Sequence, residues 1–335
     1  MKKLETVKWG IIGVGDVTEV KSGPAFYKIK YSSLVAVMRR DALKAADYAS
    51  RHDIQKWYSN ASELINDPDV DAVYVATPPD SHASYAIEAM RVRKPVYVEK
   101  PMAWSFAECQ EMLGVSKQTG MPLWVAYYRR TLPAFLKAKE LVESGGIGQP
   151  LEVNVRLYKQ AEERNQAEDE MNWRVFPEVG GAGHFFDLAS HQFDYLDFVF
   201  GKVTEVNGKA SNLGGLYPAE DTVTGSWKHE SGVTGSGHWS FIADKNSEKD
   251  EIEIIGKKGK ITLSCFTSPD TLKITTNEGE SVLKFSNPEH ISQQLVQQLV
   301  NELRGVGACV STGESGARTN WVLEQMVRDY YADKN

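Results

Sequence analysis

The first part of the chain alternates between short apolar runs and segments with helical periodicity. Each apolar run spans roughly four to eight residues, as expected of a strand that is buried on both faces. This alternation predicts a doubly wound parallel sheet, with a ligand crevice at the carboxyl ends of its strands. The predicted strands cover residues 7–12, 34–38, 71–77, 95–98 and 123–126, and the predicted helices cover 41–52, 61–66, 81–92 and 105–119.

The second part of the chain shows apolar residues at every second position, as in Val233–Phe241. This period is typical of strands with one buried face, so we expect a broad sheet with helices on one side. A Gly/Pro-rich stretch, Gly145–Pro150, precedes the sheet. The predicted strands cover residues 151–159, 203–210, 221–229, 233–241, 250–256, 260–266, 271–276 and 281–285, and the predicted helices cover 186–200, 288–305 and 315–333.

The composition is that of an ordinary globular protein, with 41% hydrophobic and 25% charged residues. A net charge of −7 argues against nucleic acid as the main partner. Cys109, Cys265 and Cys309 are widely spaced and form no CxxC motif, which favours reduced thiols. We find no secretory pattern and no apolar run of the ~20 residues that a membrane span needs. We therefore expect a cytoplasmic protein without a membrane partner.

A glycine turn follows the first predicted strand. Gly13 and Gly15 allow the backbone to approach a pyrophosphate, and the next helix offers its N–H groups and positive dipole end. Thr18 stands where a third glycine is common. The turn therefore predicts a dinucleotide-binding domain over residues 1–125. Residues 126–335 are then a second domain, and the last helix, about 315–333, is expected to return towards the first.

The end of the second strand indicates which dinucleotide binds. An NAD site has an acidic residue here, whereas an NADP site has arginine nearby. This chain has Arg39 and Arg40, so we predict NADP(H) as the preferred cofactor, with NAD(H) as the alternative. Asp41 follows, and we assign it to the N-cap of the next helix.

Two further strand ends carry polar chemistry. Thr77-Pro-Pro-Asp-Ser-His82 leaves its strand through two prolines, which make the loop stiff. Glu99-Lys100-Pro101 ends the next strand. A lysine at this edge of a parallel sheet would point towards the ligand crevice, so we expect Lys100 to lie beside the nicotinamide; the alternative is a solvated surface charge.

A helix after the glycines at 180–183 carries Asp187 and His191, four residues apart. This spacing places both side chains on one face of the helix. A carboxylate beside an imidazole orients the ring and tunes its pKa, which suits a general acid or base. The alternative is a surface ion pair, which is common and weak.

Aromatic and arginine pairs are candidates for a sugar pocket, because aromatic faces stack on sugar rings and arginine binds hydroxyl groups. They are Tyr128 with Arg129, and Trp173 with Arg174; ordinary packing is the alternative. The polar segment 162–170 is expected to form a mobile loop or short helix near the pocket mouth. The remaining histidines lack ligand spacing, so we predict no required metal.

Five motifs in this order resemble those of the glucose-fructose oxidoreductase / inositol dehydrogenase (Gfo/Idh/MocA) family of NAD(P)-dependent oxidoreductases, and the resemblance covers nearly the whole chain. The combination of Glu-Lys-Pro with Asp-x-x-x-His is specific. The motifs are Gly13-x-Gly15, Thr77-Pro-Pro-x-x-His82, Glu99-Lys-Pro101, Gly146-Ile-Gly-Gln-Pro150, and Gly180-Gly181 followed by Asp187-x-x-x-His191.

The resemblance implies an α/β fold: an N-terminal Rossmann domain and a C-terminal α+β domain with a large, mostly antiparallel open sheet. It also implies a homodimer or homotetramer formed through that sheet, and a cis Lys100–Pro101 bond. The implied catalytic residues are Lys100, Asp187 and His191, of which the last two also bind substrate. The implied cofactor-binding residues are Gly13, Gly15, Asp16, Val17, Arg39, Arg40, Thr77, Pro78, His82, Glu99 and Lys100.

The function that these residues imply is hydride transfer between NADP(H) and a secondary alcohol or ketone of a sugar, polyol or related compound. Lys100 polarises the reacting oxygen, His191 exchanges the proton and Asp187 binds a substrate hydroxyl. One alternative is a redox-assisted glycosidase or lyase that keeps its cofactor tightly bound. Another is a cofactor-binding regulator without catalysis, although such a protein has no chemical need for all three residues.

Overall fold

The computed structural model describes residues 3–162 and 171–332, which fall into two compact units. Unit 1 comprises Met1–Tyr128 and Pro288–Ala317, and unit 2 comprises Arg129–Asn287 and Arg318–Asn335. The sequence predicts a second domain over residues 126–335, whereas residues 288–317 within that range belong to unit 1. The polar segment proposed for the pocket mouth lies, apart from Glu162, outside the described residues.

Unit 1 contains a six-stranded sheet in the order β3-β2-β1-β4-β5-β6, with all neighbouring strands parallel. The doubly wound parallel sheet is thereby confirmed. The edge strand β3 was not predicted, because three residues are too few to show a pattern. The strands are β1 (Val7–Ile12), β2 (Ser32–Met38), β3 (Lys56–Tyr58), β4 (Ala72–Val75), β5 (Val96–Val98) and β6 (Leu123–Val125).

Alternate strand residues of this sheet enter two apolar layers. Ile12, Val73 and Val98 belong to one buried cluster, while Trp9 and Tyr74 belong to another. This follows from the period of two along a strand, with both faces covered. The helices of this part of the chain are α1 (Asp16–Val20), α2 (Ala25–Lys28), α3 (Ala42–Arg51), α4 (Ala61–Asn66), α5 (His82–Arg91) and α6 (Phe106–Thr119).

Unit 2 contains an eight-stranded sheet in the order β14-β13-β12-β11-β7-β10-β9-β8. All its pairs are antiparallel except β7 with β10, so the mostly antiparallel sheet is confirmed. The strands are β7 (Pro150–Tyr158), β8 (Val203–Ser211), β9 (Thr222–His229), β10 (Thr234–Ser240), β11 (Lys249–Gly256), β12 (Gly259–Leu263), β13 (Thr271–Thr276) and β14 (Gly279–Lys284).

Among the described residues of unit 2 up to residue 200, the α-helices are α7 (Pro133–Glu143), α8 (Pro177–Gly180) and α9 (His184–Phe200). Helix α9 is the most buried of these, and it packs through aromatic rings. The rings of Phe185 and Trp239 lie 5.0 Å apart, and those of Phe193 and Trp227 lie 4.9 Å apart, both edge to face. These contacts hold α9 against β9 and β10 and so fix the helix that carries Asp187 and His191.

The last two helices are α10 (Gln293–Leu303) and α11 (Gly313–Ala332). Helix α10 explains why its segment belongs to unit 1. Its apolar stripe completes the layer that contains Trp9 and Tyr74, through residues Leu295, Val296, Leu299, Val300 and Leu303. Ala317, near the start of α11, belongs to the opposite layer of unit 1, whereas Arg318 onwards belongs to unit 2.

Candidate active site

The glycine turn between β1 and α1 has the geometry that a dinucleotide site needs. Gly13 has a φ of +93°, and a Cβ there would lie 2.7 Å from Thr77 Cγ2. Gly15 has extended backbone, and a Cβ there would meet nothing within 4 Å. The Gly15 N–H donates to Thr18 Oγ1 at 2.9 Å, so Thr18 caps the turn where a third glycine is common. Asp16 and Val17 follow in the first turn of α1.

The two glycines should respond differently to alanine. We expect Gly13→Ala to lower the free energy of unfolding by about 2–3 kcal/mol, because a positive φ and a close contact with Thr77 both oppose a side chain. Gly15→Ala should cost no more than about 1 kcal/mol, the usual scale of an N-cap change. Urea unfolding measures both changes. Equal losses for the two variants would contradict this account of the turn.

The arginines at the end of β2 lie beside this turn. The Arg39 Nη1 group donates to the carbonyl of Val14 at 3.1 Å, and the residue is half-buried. Arg40 is exposed. Asp41 accepts the Lys44 N–H at 3.1 Å and starts α3, which confirms its predicted role as N-cap. The guanidinium of Arg39 is thus held at the loop that would carry the phosphates.

His82 lies behind the loop that follows β4 and is fully buried. Its ring nitrogens lie 2.7 Å from the Thr77 carbonyl and 3.1 Å from the Pro101 carbonyl. Burial lowers the pKa of His82, although the neighbouring carbonyls oppose that shift. The ring therefore bridges the ends of β4 and β5, and Thr77 with Pro78 begins the intervening loop. The direct cofactor contact that we assigned to His82 stays a prediction.

Glu99 fixes the backbone of the Glu-Lys-Pro segment. Its Oε1 atom accepts the hydroxyl of the fully buried Tyr74 at 2.5 Å, and its Oε2 atom accepts the backbone N–H of Lys100 at 3.1 Å. Burial raises the pKa of Tyr74 well above its usual range, so this hydroxyl remains a donor. The Lys100–Pro101 bond is cis, as the resemblance implied. The structure therefore gives Glu99 a positioning contact with Lys100.

Asp187 and His191 lie on one face of α9 in unit 2. Arg174 donates its Nε–H to Asp187 Oδ2 at 2.9 Å, and its guanidinium lies 4.3 Å from the ring centroid of Trp173. His191 is 4% exposed. The alternative of a surface ion pair for this histidine is therefore wrong. The candidates Trp173, Arg174 and Asp187 form one cluster within the unit.

Arg129 occupies a different environment from the one expected of a sugar ligand. It is 4% exposed and donates to the Cys265 carbonyl from Nε at 2.9 Å and from Nη2 at 2.6 Å. Its guanidinium also lies 4.6 Å from the ring centroid of Phe266. Substrate binding by Arg129 stays a prediction, as it does for Tyr128, which precedes it in unit 1. The observed contacts show that Arg129 anchors the 265–267 loop.

This loop brings Phe266 against His191, with ring centroids 6.0 Å apart in an edge-to-face arrangement. The Asp250 carboxylate accepts the N–H groups of Cys265, Phe266 and Thr267 at 3.1, 2.6 and 2.8 Å. Neither Phe266 nor Asp250 was among the predicted site residues. Asp250 lies 15 or more residues before the loop, so no local spacing relates the two. An aromatic residue such as Phe266, close after a strand, is most simply interpreted as part of the core.

Among residues 3–162 and 171–332, no group of three or more His, Cys, Asp or Glu side chains is placed to hold a metal ion. The three cysteines are buried and free, as expected. No helix in the same residues is long and apolar enough to span a membrane.

Two family models match the chain. Residues 7–127 match the oxidoreductase family with an NAD-binding Rossmann fold, and residues 135–262 match the GFO/IDH/MocA C-terminal domain. The fold, the turn and these matches define an oxidoreductase of the dehydrogenase and reductase class. The chain belongs to the Gfo/Idh/MocA family, which confirms the resemblance noted from its motifs.

Individual relatives are similar over most of their length. An oxidoreductase of Formosa agariphila is 40% identical over 294 residues, which cover 88% of this chain and 90% of the relative. The 1,5-anhydro-D-fructose reductase of Ensifer adhaerens is 27% identical and covers 92% of each chain. The structure of levoglucosan dehydrogenase with NADH and levoglucosan superposes with a TM-score of 0.85 at 21% identity, over 98% of each chain. That last likeness shows the fold.

Proposed function

We propose that the protein catalyses reversible hydride transfer between NADP(H) and a secondary alcohol or ketone of a sugar-like substrate. The observation that carries the proposal is the nearly buried His191 on the same helix face as Asp187, whose carboxylate is held by Arg174. A largely desolvated imidazole with a nearby carboxylate is suited to proton transfer.

The residues of unit 1 fit a nicotinamide dinucleotide. A Cβ at Gly15 would fill open space beside the start of α1, which is where a pyrophosphate is bound in such turns. We infer that Gly13, Gly15, Asp16, Val17 and Thr77 with Pro78 line this site. When bound, the nicotinamide supplies or accepts the hydride.

The proposed roles of the polar side chains follow from their chemistry. Lys100 carries a positive charge that stabilises negative charge developing on the reacting oxygen. His191 exchanges the proton with that oxygen, and Asp187 accepts a hydrogen bond from a substrate hydroxyl. Glu99 holds the Lys100 backbone, and Arg174 holds the Asp187 carboxylate.

The substrate class rests on the cluster around Asp187 and on two relatives. Trp173 offers an aromatic face, and Arg174 with Asp187 offers donors and acceptors for hydroxyl groups. The Ensifer relative is named as a reductase of 1,5-anhydro-D-fructose, and the structural neighbour is named as a dehydrogenase of levoglucosan. We therefore propose a sugar, an anhydro sugar or a polyol as the substrate.

The deciding experiment measures binding of NADPH and NADH to the purified protein, followed by cofactor turnover with sugars, anhydro sugars, polyols and keto-sugars. NADPH binding with turnover on one class would support the proposal. Tight cofactor binding without net turnover would favour a redox-assisted lyase if substrate is still consumed. It would favour a regulator if no substrate reacts.

The preference for NADP(H) should depend on the two arginines. We expect Arg39→Ala with Arg40→Ala to raise the Kd of NADPH roughly 10–100-fold, because one charge-assisted hydrogen bond to the 2′-phosphate contributes about 1.5–3 kcal/mol and solvent screens the exposed Arg40, which adds little more. The Kd of NADH should change less than about threefold by the same argument. Lys44→Ala is the control, since Lys44 is an exposed cation on the next helix. Equal weakening of both cofactors would contradict the preference.

We also propose a homodimer or homotetramer formed through the sheet of unit 2. One side of this sheet is covered by α9, while residues of the other side remain partly exposed. Along β11, Ile252 and Ile254 are buried, whereas Glu253 between them and Glu251 and Ile255 on either side are partly accessible. Sedimentation equilibrium tests the assembly, and a monomer at micromolar concentration would overturn it.

A further inference from the structure

Glu220 is a buried carboxylate that contacts the N-cap of the helix bearing Asp187 and His191. Its side chain is fully buried, and both of its oxygens lie 3.0 Å from the Gly183 nitrogen, whose N–H they accept. Gly183 is the N-cap of α9. A Cβ at that position would lie 2.6 Å from the Glu220 carbonyl oxygen, so only glycine permits this approach.

A second donor reaches the same carboxylate from the far end of the chain. The hydroxyl of Tyr331, in the last turn of α11, donates to Glu220 Oε2 at 2.5 Å. The described residues thus connect the final helix to the start of α9 through one side chain. Both donors point at the carboxylate, so the ionised form accepts both hydrogen bonds.

The charge on Glu220 is sensitive to pH near neutrality. Burial raises the pKa of Glu220 to about 7, against the opposing hydrogen bonds from Tyr331 and Gly183. The ionisable groups that face it are Asp221, Tyr217 and Tyr331. Protonation turns one of the two acceptor oxygens into a donor, so the neutral carboxyl has fewer acceptor sites for the Tyr331 hydroxyl and the Gly183 N–H. The anchor is therefore complete only when Glu220 is ionised.

We propose that Glu220 and Tyr331 are positioning residues for α9, which set the orientation of Asp187 and His191 through the Gly183 end of the helix. This inference rests on the proposed function of those two residues. It predicts that ionisation of Glu220 favours catalysis. The effect of this ionisation on stability has the opposite sign. Because the pKa of Glu220 is higher in the folded protein, the folded state binds the proton more tightly, and the free energy of unfolding falls as the pH rises from about 4.5 to about 7.

The test compares four variants of the full chain: Glu220→Gln, Glu220→Leu, Tyr331→Phe and, as control, Tyr330→Phe on the same helix. With a substrate from the panel, we expect Glu220→Leu and Tyr331→Phe to lower kcat about tenfold, the scale of a small misplacement of catalytic groups. The KM for NADPH should stay within about twofold. Glu220→Gln carries one acceptor and one donor, as the protonated carboxyl does, so it should hold kcat at the level of the acidic form and remove the pH dependence near 7 that Glu220 contributes.

A second readout needs no substrate. In protein labelled with ¹³C-histidine, Tyr331→Phe should shift the His191 ring resonance and leave that of His82 in unit 1 unchanged. If the panel yields no substrate, the proposed function fails, and this readout still tests the anchor. Wild-type values of kcat, pH profile and His191 resonance in Tyr331→Phe would overturn the proposal. That variant also decides the question if Glu220→Leu does not fold.

Discussion

Replacement of His191 by alanine is expected to lower kcat roughly 10²–10⁴-fold, the usual contribution of a general acid or base. The imidazole is nearly buried on α9 and lies edge to face with Phe266. In the proposed mechanism, removing it leaves the reacting oxygen without its proton donor or acceptor. The Kd of NADPH should remain within about twofold, because the residues that fit the dinucleotide belong to the glycine turn and its neighbouring loops.

Steady-state kinetics and a fluorescence titration with NADPH measure these two quantities. His238→Asn is the matched control, since His238 is a partly exposed imidazole on β10 of the same unit. It should retain wild-type kcat within about twofold. A collapse of NADPH affinity together with kcat in His191→Ala would show that the assignment of His191 to the substrate side is wrong.

Replacement of Asp194 by alanine is expected to lower the free energy of unfolding by about 3–5 kcal/mol, the cost of breaking a buried ion pair. Asp194 is fully buried and accepts Arg130 Nε and Nη2, both at 2.8 Å. Arg130 also reaches Asp197 at 3.3 Å, and Arg318 binds Asp197 through two contacts of 2.7 Å. Without Asp194, the buried guanidinium of Arg130 loses its bidentate carboxylate partner.

Urea unfolding at neutral pH measures this loss. Burial outweighs the nearby Arg130 and raises the pKa of Asp194 to about 6, so the carboxylate is ionised under these conditions. Glu140→Gln is the control, because it removes a surface partner of Lys137 and should cost less than about 0.5 kcal/mol. A loss below about 1 kcal/mol for Asp194→Ala would mean that the network contributes little to stability.

Both sheets could be predicted from the sequence because the pattern of apolar residues that marks each strand lies within a few consecutive positions. The apolar runs of β1, β4 and β5 and the alternation of β10 each fit within a few residues. The edge strand β3 could not be predicted, since it is short and partly exposed. The pairing of β10 with β7 in parallel could not be predicted either, because it joins strands that are far apart in the chain.

In the candidate site too, residues that are close in sequence could be predicted, whereas contacts between distant residues could not. Two residue pairs could be recognised from a short stretch of sequence. Asp187 and His191 have helical spacing, and Glu99 and Lys100 follow directly after a predicted strand. Asp250 and Glu220 act on residues 15 and 37 positions away, so no window of sequence relates them to their partners. The sequence also predicts a helix near α10. The apolar stripe of that helix does not indicate which of the two sheets the helix packs against.

The placement of α10 has a consequence for the order in which the protein can fold during synthesis. The sheet of unit 1 is made from the first 128 residues, yet one of its apolar layers is completed by Leu295–Leu303. A ribosome releases the N-terminal strands long before it has translated that helix. The nascent sheet must therefore keep part of this apolar layer exposed while the whole of the second sheet is synthesised, and exposed apolar surface is what chaperones protect.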